Sequence, residues 1–195
     1  MNSSEVFKLA GEEHEAFLRA IGELTLAWSD LEVVLYKLLK HYAGVNDAVG
    51  RAIFSGTRAS AMIKFLKAIA DNTNMEEIRK SDMDDIFSHI QSINSMRDFV
   101  VHHVNGGMQE FQLGNPDVRL LTDSRRVSRK KNAKFYYVGS ATIAAMRDDI
   151  IECCWRLHSH WDQTNEPFKP GAGARGSRNA WKFKPPQPDR TKTDE

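Results

Sequence analysis

Phe17, Ile21, Leu24, Trp28, Leu31, Leu35, Leu38 and Tyr42 recur at alternating intervals of four and three residues. That spacing puts all of them along one side of an α-helix and scatters them over both faces of a strand. An apolar seam of this length must be covered by other helices, so it predicts a bundle. The helix carrying it is expected from about Glu12 to Tyr42, with Gly44 as its stop.

Weaker signals of the same kind follow. Asn46, an N-cap residue type, opens a short helix ending near Phe54. After Ser55-Gly56, Thr57 is the expected cap of a third helix whose buried face is Met62, Phe65, Leu66 and Ile69. A second long helix is expected from about Met75 to His103, before Asn105-Gly106-Gly107. The pattern then turns strand-like over Met108–Leu113, Val118–Thr122 and Phe135–Val138. Ser140 begins a last helix, with Ile143, Met146, Ile150, Cys154, Leu157 and Trp161 at helical spacing.

These segments predict an all-α, up-down helical bundle of about five helices, with a small β-hairpin insertion (about 108–138) before the last. Residues 1–164 form the expected domain. From 165 to 195 Pro, Gly, Arg, Lys and Thr replace any periodicity, which reads as a disordered basic tail. Only 41% of the chain is hydrophobic, in keeping with some of it lying outside the core. Long apolar seams are commonly buried against a second copy, so a homodimer is expected.

No apolar run reaches membrane-spanning length, and the polar start is not a secretory signal. Cys153 and Cys154 are adjacent and cannot form an ordinary structural disulfide, which points to a reducing cytoplasm. Charge is uneven. Residues 1–100 hold 11 Lys/Arg against 15 Asp/Glu, and residues 101–195 hold 16 against 11. Arg125, Arg126, Arg129, Lys130, Lys131 and Lys134 form a cluster that suits a polyanion such as RNA, or equally a solvated loop.

The segment from Ser92 to His103 carries the densest chemistry. Met83, Ile86, Ile90, Ile93, Val100, Val101 and Val104 form an apolar stripe, and Arg97 occupies a slot within it. A charge there needs a partner or a purpose. Asn94, Asp98 and His102 follow at i, i+4, i+8 as a polar track. Asp98 and His102 are one turn apart, so the carboxylate can fix the imidazole tautomer and leave the other ring nitrogen for proton transfer. Arg97 stands about 140° around the helix from His102, so two antiparallel copies would pool the groups better than one. A phosphate-binding arginine beside a near-neutral histidine suits phosphodiester cleavage without a metal. The competing reading makes Arg97 a structural ion pair and His102 a helix-end residue favoured by the dipole. His103 lies on another face and ranks below His102.

Arg97-Asp98-Phe99-Val100-Val101-His102 resembles the R-x4-6-H motif of the HEPN superfamily, which often has a polar residue directly after the arginine. The motif closes a long helix, a Gly-containing turn follows and another long helix comes later, over roughly residues 12–161. The resemblance implies an all-α dimer with paired motifs that cleaves RNA without metal or other cofactor and leaves a 2′,3′-cyclic phosphate. Arg97 would bind the scissile phosphate, His102 would do the acid–base work and Asp98 would orient or polarise. It also implies a defence or toxin–antitoxin setting, with an antitoxin or other protein partner. A different class is a non-catalytic dimerisation or binding module for nucleic acid or an acidic protein.

Glu32 falls within the apolar stripe of the first helix and is expected to approach Arg97, Arg51 or Arg58. Arg51 and Arg58, flanking Ser55-Gly56, suit an anion site near a helix start, or a simple tie between loop and bundle. His158-Ser159-His160 belongs to no four-ligand zinc set and reads as a surface helix end. Cys154 reads as core filler. Phe135, Tyr136 and Tyr137 suit either base stacking or strand packing. Trp181 and Phe183 in the tail are either a docking motif or unbound.

Overall fold

The computed structural model describes residues 3–103, 118–122, 135–161 and 180–186, with the side chains of 3–13, 102–103, 118–122, 135 and 137 outside the description. The fold is an all-α helical bundle, with five helices among the described residues: α1 (Ser3–Ala43), α2 (Asp47–Phe54), α3 (Ala59–Asn72), α4 (Glu77–His103) and α5 (Ser140–His158). Before α5, strands β1 (Val118–Thr122) and β2 (Phe135–Gly139) pair antiparallel, with Leu120 opposite Tyr137. The expected strand at 108–113 and the basic cluster at 125–134 lie outside the described residues.

Local sequence accounts for most boundaries. Gly44 adopts a positive φ of 64° and its N–H bonds the His41 carbonyl, ending α1 where a residue with a β-carbon would be strained. Asn46 caps α2, its Oδ1 accepting from the Val49 N–H at 3.0 Å. Two boundaries differ from expectation. α1 starts at Ser3 rather than near Glu12, because no proline interrupts residues 3–11 and the first turns simply continue. Arg58, not Thr57, is the N-cap of α3, and no side chain caps it.

Contacts divide the chain into two compact units. One comprises residues 1–25, 92–146 and 183–195, with Phe17, Leu24, Ile93, Met96, Val100, Val138, Ile143, Met146 and Phe183 buried in it. The other comprises residues 26–91 and 147–182, where Trp28, Leu31, Leu35, Leu38, Leu39, Met62, Ile63, Leu66, Met83, Ile86, Phe87, Ile90, Ile150, Cys153 and Leu157 are buried. The seam of α1 is therefore buried throughout, apart from partial exposure of Ile21 and Tyr42.

Elsewhere the buried face is rotated from the expected one. α3 buries Met62, Ile63, Leu66 and Ala70, while Phe65 is 49% exposed, its ring 6.3 Å from that of Phe54. α5 buries Cys153 rather than Cys154, which keeps the 3-4-3-4 spacing Ile143, Met146, Ile150, Cys153, Leu157. α4 buries Met96 and leaves Val101 40% exposed. Val104 lies outside the described residues.

The tail expectation needs correction over 180–186. Phe183 is only 2% exposed and Trp181 is half-buried, so this stretch is docked rather than disordered. Composition there is polar, yet two aromatic side chains supply enough apolar area to hold a short segment. Phe183→Ala is expected to lower unfolding stability by about 3 kcal/mol in urea titration, whereas a solvated residue would change it by less than about 0.5 kcal/mol.

Candidate functional site

The last two turns of α4 carry the residues with the motif spacing. Arg97 is partly buried, and its Nη1 donates to Asp98 Oδ1 at 3.1 Å. The two side chains are 23% and 48% exposed, so the pair sits at the edge of the core of its unit, with Arg97 Nε itself shielded from solvent. This corrects the expectation that Arg97 occupies the apolar stripe. With Met96 and Val100 taking the buried direction, Arg97 is turned to the flank. Asn94 is half-buried on the same helix. The backbone of α4 continues unbroken through His102 and His103, whose side chains are outside the described residues.

Phe99, two residues beyond Arg97, packs edge-on against Tyr136 of β2, with ring centroids 4.7 Å apart at 78°. Of the two roles open to Tyr136, this is strand packing, which ties β2 to the end of α4.

Glu32 accepts a hydrogen bond from the Trp28 indole at 3.3 Å, one turn earlier on α1. It lines one cavity together with Arg51 and Arg58, both exposed, but forms an ion pair with neither. The expected approach is thus seen as a shared cavity rather than a salt bridge. An adjacent indole N–H satisfies one carboxylate oxygen within α1 itself.

Sequence reasoning missed a buried ionic network in the second unit. α4 contributes Asp82, Asp85 and His89, and α5 contributes Asp149 and Arg156, at spacings that align each set on one helix face. Arg156 Nη2 donates to Asp82 Oδ1 at 2.6 Å and to Asp85 Oδ2 at 2.9 Å. His160 Nε2 meets Asp82 Oδ2 at 3.0 Å, and His89 Nε2 meets Asp149 Oδ2 at 2.8 Å. Asp82, His89, Asp149, Arg156 and His160 are all buried.

Residues 181–182 cover this network. The Trp181 ring stacks on His89 at 4.1 Å and 10°, and the Arg156 guanidinium lies 4.9 Å from the same ring. The Lys182 N–H donates to Asp149 Oδ1 at 3.0 Å and its Nζ to Asp148 Oδ2 at 2.7 Å. His160 is therefore no surface helix end; the turn at 159–161 folds it inward onto Asp82. His158 remains exposed against Trp161. The available signal was polar residues at helical intervals inside apolar seams: Asp82 beside Met83, Asp85 beside Ile86, Arg156 beside Leu157.

Burial alone would raise the Asp82 carboxyl, but hydrogen bonds from His160 and Arg156 outweigh it and hold the group below the usual range. For His160, burial outweighs the pull of Asp82 and depresses the imidazole, which favours the neutral ring. Arg156 is raised despite burial, through Asp82 and Asp85. Burial pushes the Cys154 thiol up to about 12 and Cys153 well above its ordinary value. Neither is a ready nucleophile. These groups pair with one another under a cover, although Arg156 Nε is buried without a hydrogen-bond partner, and the pairing makes the network a structural lock. Among the described residues, no cluster of His, Cys, Asp or Glu could hold a metal ion, and no helix is long and apolar enough to cross a membrane.

Compared with known proteins, the chain matches no family model, no curated protein and no solved structure.

Removing Asp82 leaves Arg156 buried with only the half-exposed Asp85, so Asp82→Ala is expected to cost about 3–5 kcal/mol in chemical denaturation. The pH dependence has a defined sign. His160 has a depressed folded pKa, so its contribution is present above the unfolded value near 6.5 and is lost as pH falls below it. Asp82 adds a second loss below its unfolded value near 3.9. Tm should therefore decline between pH 7 and pH 5, and His160→Asn should flatten that part of the curve.

Proposed function

We propose that the chain is a metal-independent endoribonuclease of the HEPN type, acting as a homodimer. The observation that carries the reading is the placement of Arg97. Its guanidinium is partly open to solvent, is steadied by Asp98, and precedes His102 in one unbroken helix. A guanidinium steadied by a carboxylate and still partly exposed suits a phosphate oxygen. In this reading Asp98 positions Arg97 rather than His102.

The chemistry needs only proton transfers. His102 of one copy takes the proton from the ribose 2′-OH, whose oxygen attacks the adjacent phosphorus. Arg97 compensates the charge that develops on the phosphoryl oxygens. The 5′-oxygen departs with a proton from His102 of the second copy, giving a 2′,3′-cyclic phosphate and a 5′-OH end. The free thiols of Cys153 and Cys154 support a reducing cytoplasm. A regulatory antitoxin-like partner belongs to the same reading.

His102→Ala is expected to reduce RNA cleavage by 100-fold or more, and Arg97→Ala by about 100-fold, with unchanged circular dichroism and undiminished wild-type activity in EDTA. Cleavage that survives in His102→Ala would overturn the assignment. RNA binding without turnover by the wild type would identify a binding module instead.

A further inference from the structure

The second unit contains a cavity of about 460 Å³ that shares no residue with the Arg97 region or the buried network. Its size is that of a small-molecule pocket, larger than a bare inorganic anion needs. The lining is chemically divided. Val33, Phe54 and Met62 make an apolar wall, Arg51 and Arg58 bring two guanidinium groups, and Glu32 brings a carboxylate.

The two arginines stand out by what they lack. In the same unit Lys40, Lys67, Arg79, Lys80, Arg147 and Arg156 each hold a carboxylate. Neither Arg51 nor Arg58 makes a side-chain hydrogen bond or ion pair with a described residue. Asp47, the acid one turn before Arg51, is paired with Lys40, and Arg51 acts on it only at longer range. The turn between α2 and α3 brings both arginines to one cavity, and it does so through Gly56 at φ 74°. Positive φ there is strained for other residues. The uncapped start of α3 adds a partial positive charge to what the guanidinium groups already supply.

Glu32 is the apparent contradiction, since a carboxylate repels an anion. Its Oε1 is turned to the Trp28 indole, and it lies beyond ion-pair range of both arginines. The cavity therefore has separate cationic and acceptor regions with an apolar wall. A ligand that uses all three has a phosphate, a flat apolar body and an N–H donor.

We propose that this cavity binds a nucleoside monophosphate. Arg51 and Arg58 hold the phosphate, the base lies on Phe54 and its apolar neighbours, and an N–H of the base donates to Glu32. Inorganic phosphate would leave the wall and carboxylate unused, and a nucleoside would leave both arginines unused. The site needs neither His102 nor cleavage, so it stands or falls apart from the ribonuclease reading.

The test is isothermal titration of the full chain with GMP, guanosine and inorganic phosphate. GMP should bind, and guanosine and phosphate should each bind at least about tenfold more weakly. The Arg51→Ala/Arg58→Ala double variant, altered only at exposed positions, should keep its circular dichroism and lose GMP affinity about 10- to 100-fold. Absence of GMP binding at millimolar concentration would overturn the proposal. So would equal binding by the double variant, or guanosine binding as tightly as GMP. A short RNA with a 3′-phosphate that displaces GMP assigns the site to a strand end, and failure to displace assigns it to the free nucleotide.

Discussion

The ion pair between Arg156 and Asp82 holds the second unit in one arrangement. Both side chains are almost fully buried, and the 2.6 Å contact is extended by Asp85 and His160. Apolar seams alone tolerate slippage, because one aliphatic contact resembles the next. A buried charge does not, since a shift of α5 along α4 by one turn would strand Arg156 without a carboxylate. Registering two helices in this way costs desolvation energy. The returns are a specified register and a fixed turn at 159–161, where His160 folds back onto Asp82.

Arg97 and Arg156 each stand beside apolar residues on a helix and each donates to an aspartate. Their environments separate them. Arg156 donates to two carboxylates and lies against an indole, with its charge consumed inside the fold. Arg97 meets Asp98, a carboxylate itself 48% exposed, at the flank of its helix. Arg97 keeps partial exposure, 23% of its side chain, whereas Arg156 keeps 3%. That contrast gives Arg156 a structural part in the fold and is what the proposal for Arg97 rests on, beyond the spacing to His102.

Helix number, order and most ends were legible because each had a local cause: the α1 seam, Asn46 as cap, Gly44 as stop. Helix phase was less legible. Phe65 and Cys154 each fit an apolar stripe, but so do their neighbours Met62, Ile63 and Cys153, and tertiary packing chose between them. The setting of Glu32 was legible in part: it shares a cavity with Arg51 and Arg58, while its hydrogen bond comes from a neutral indole one turn away, which a search for opposite charge overlooks. The ionic network was hidden because its parts lie about 70 residues apart, and each polar residue on its own reads as a solvated position. Only the pairing of α4 with α5 gives Asp82 and Arg156 a reason to be buried.

The tail shows the limit of reading structure from average composition. A window across 165–195 is dominated by Pro, Gly and basic residues, and its mean predicts no packing. Docking, however, depends on a few anchors. Trp181 adds a stacked ring and a cation–π contact, Lys182 a backbone N–H and an ammonium, and Phe183 a fully buried ring. The contacts of Trp181 and Lys182 are made against groups already fixed by the α4–α5 network, so little further ordering of the receiving surface is required. The order of causes therefore runs from the helix seams to the buried ions, and from the buried ions to the segment that covers them. A polar terminal stretch becomes part of the fold when the helices have first built an ordered charge pattern for it to meet.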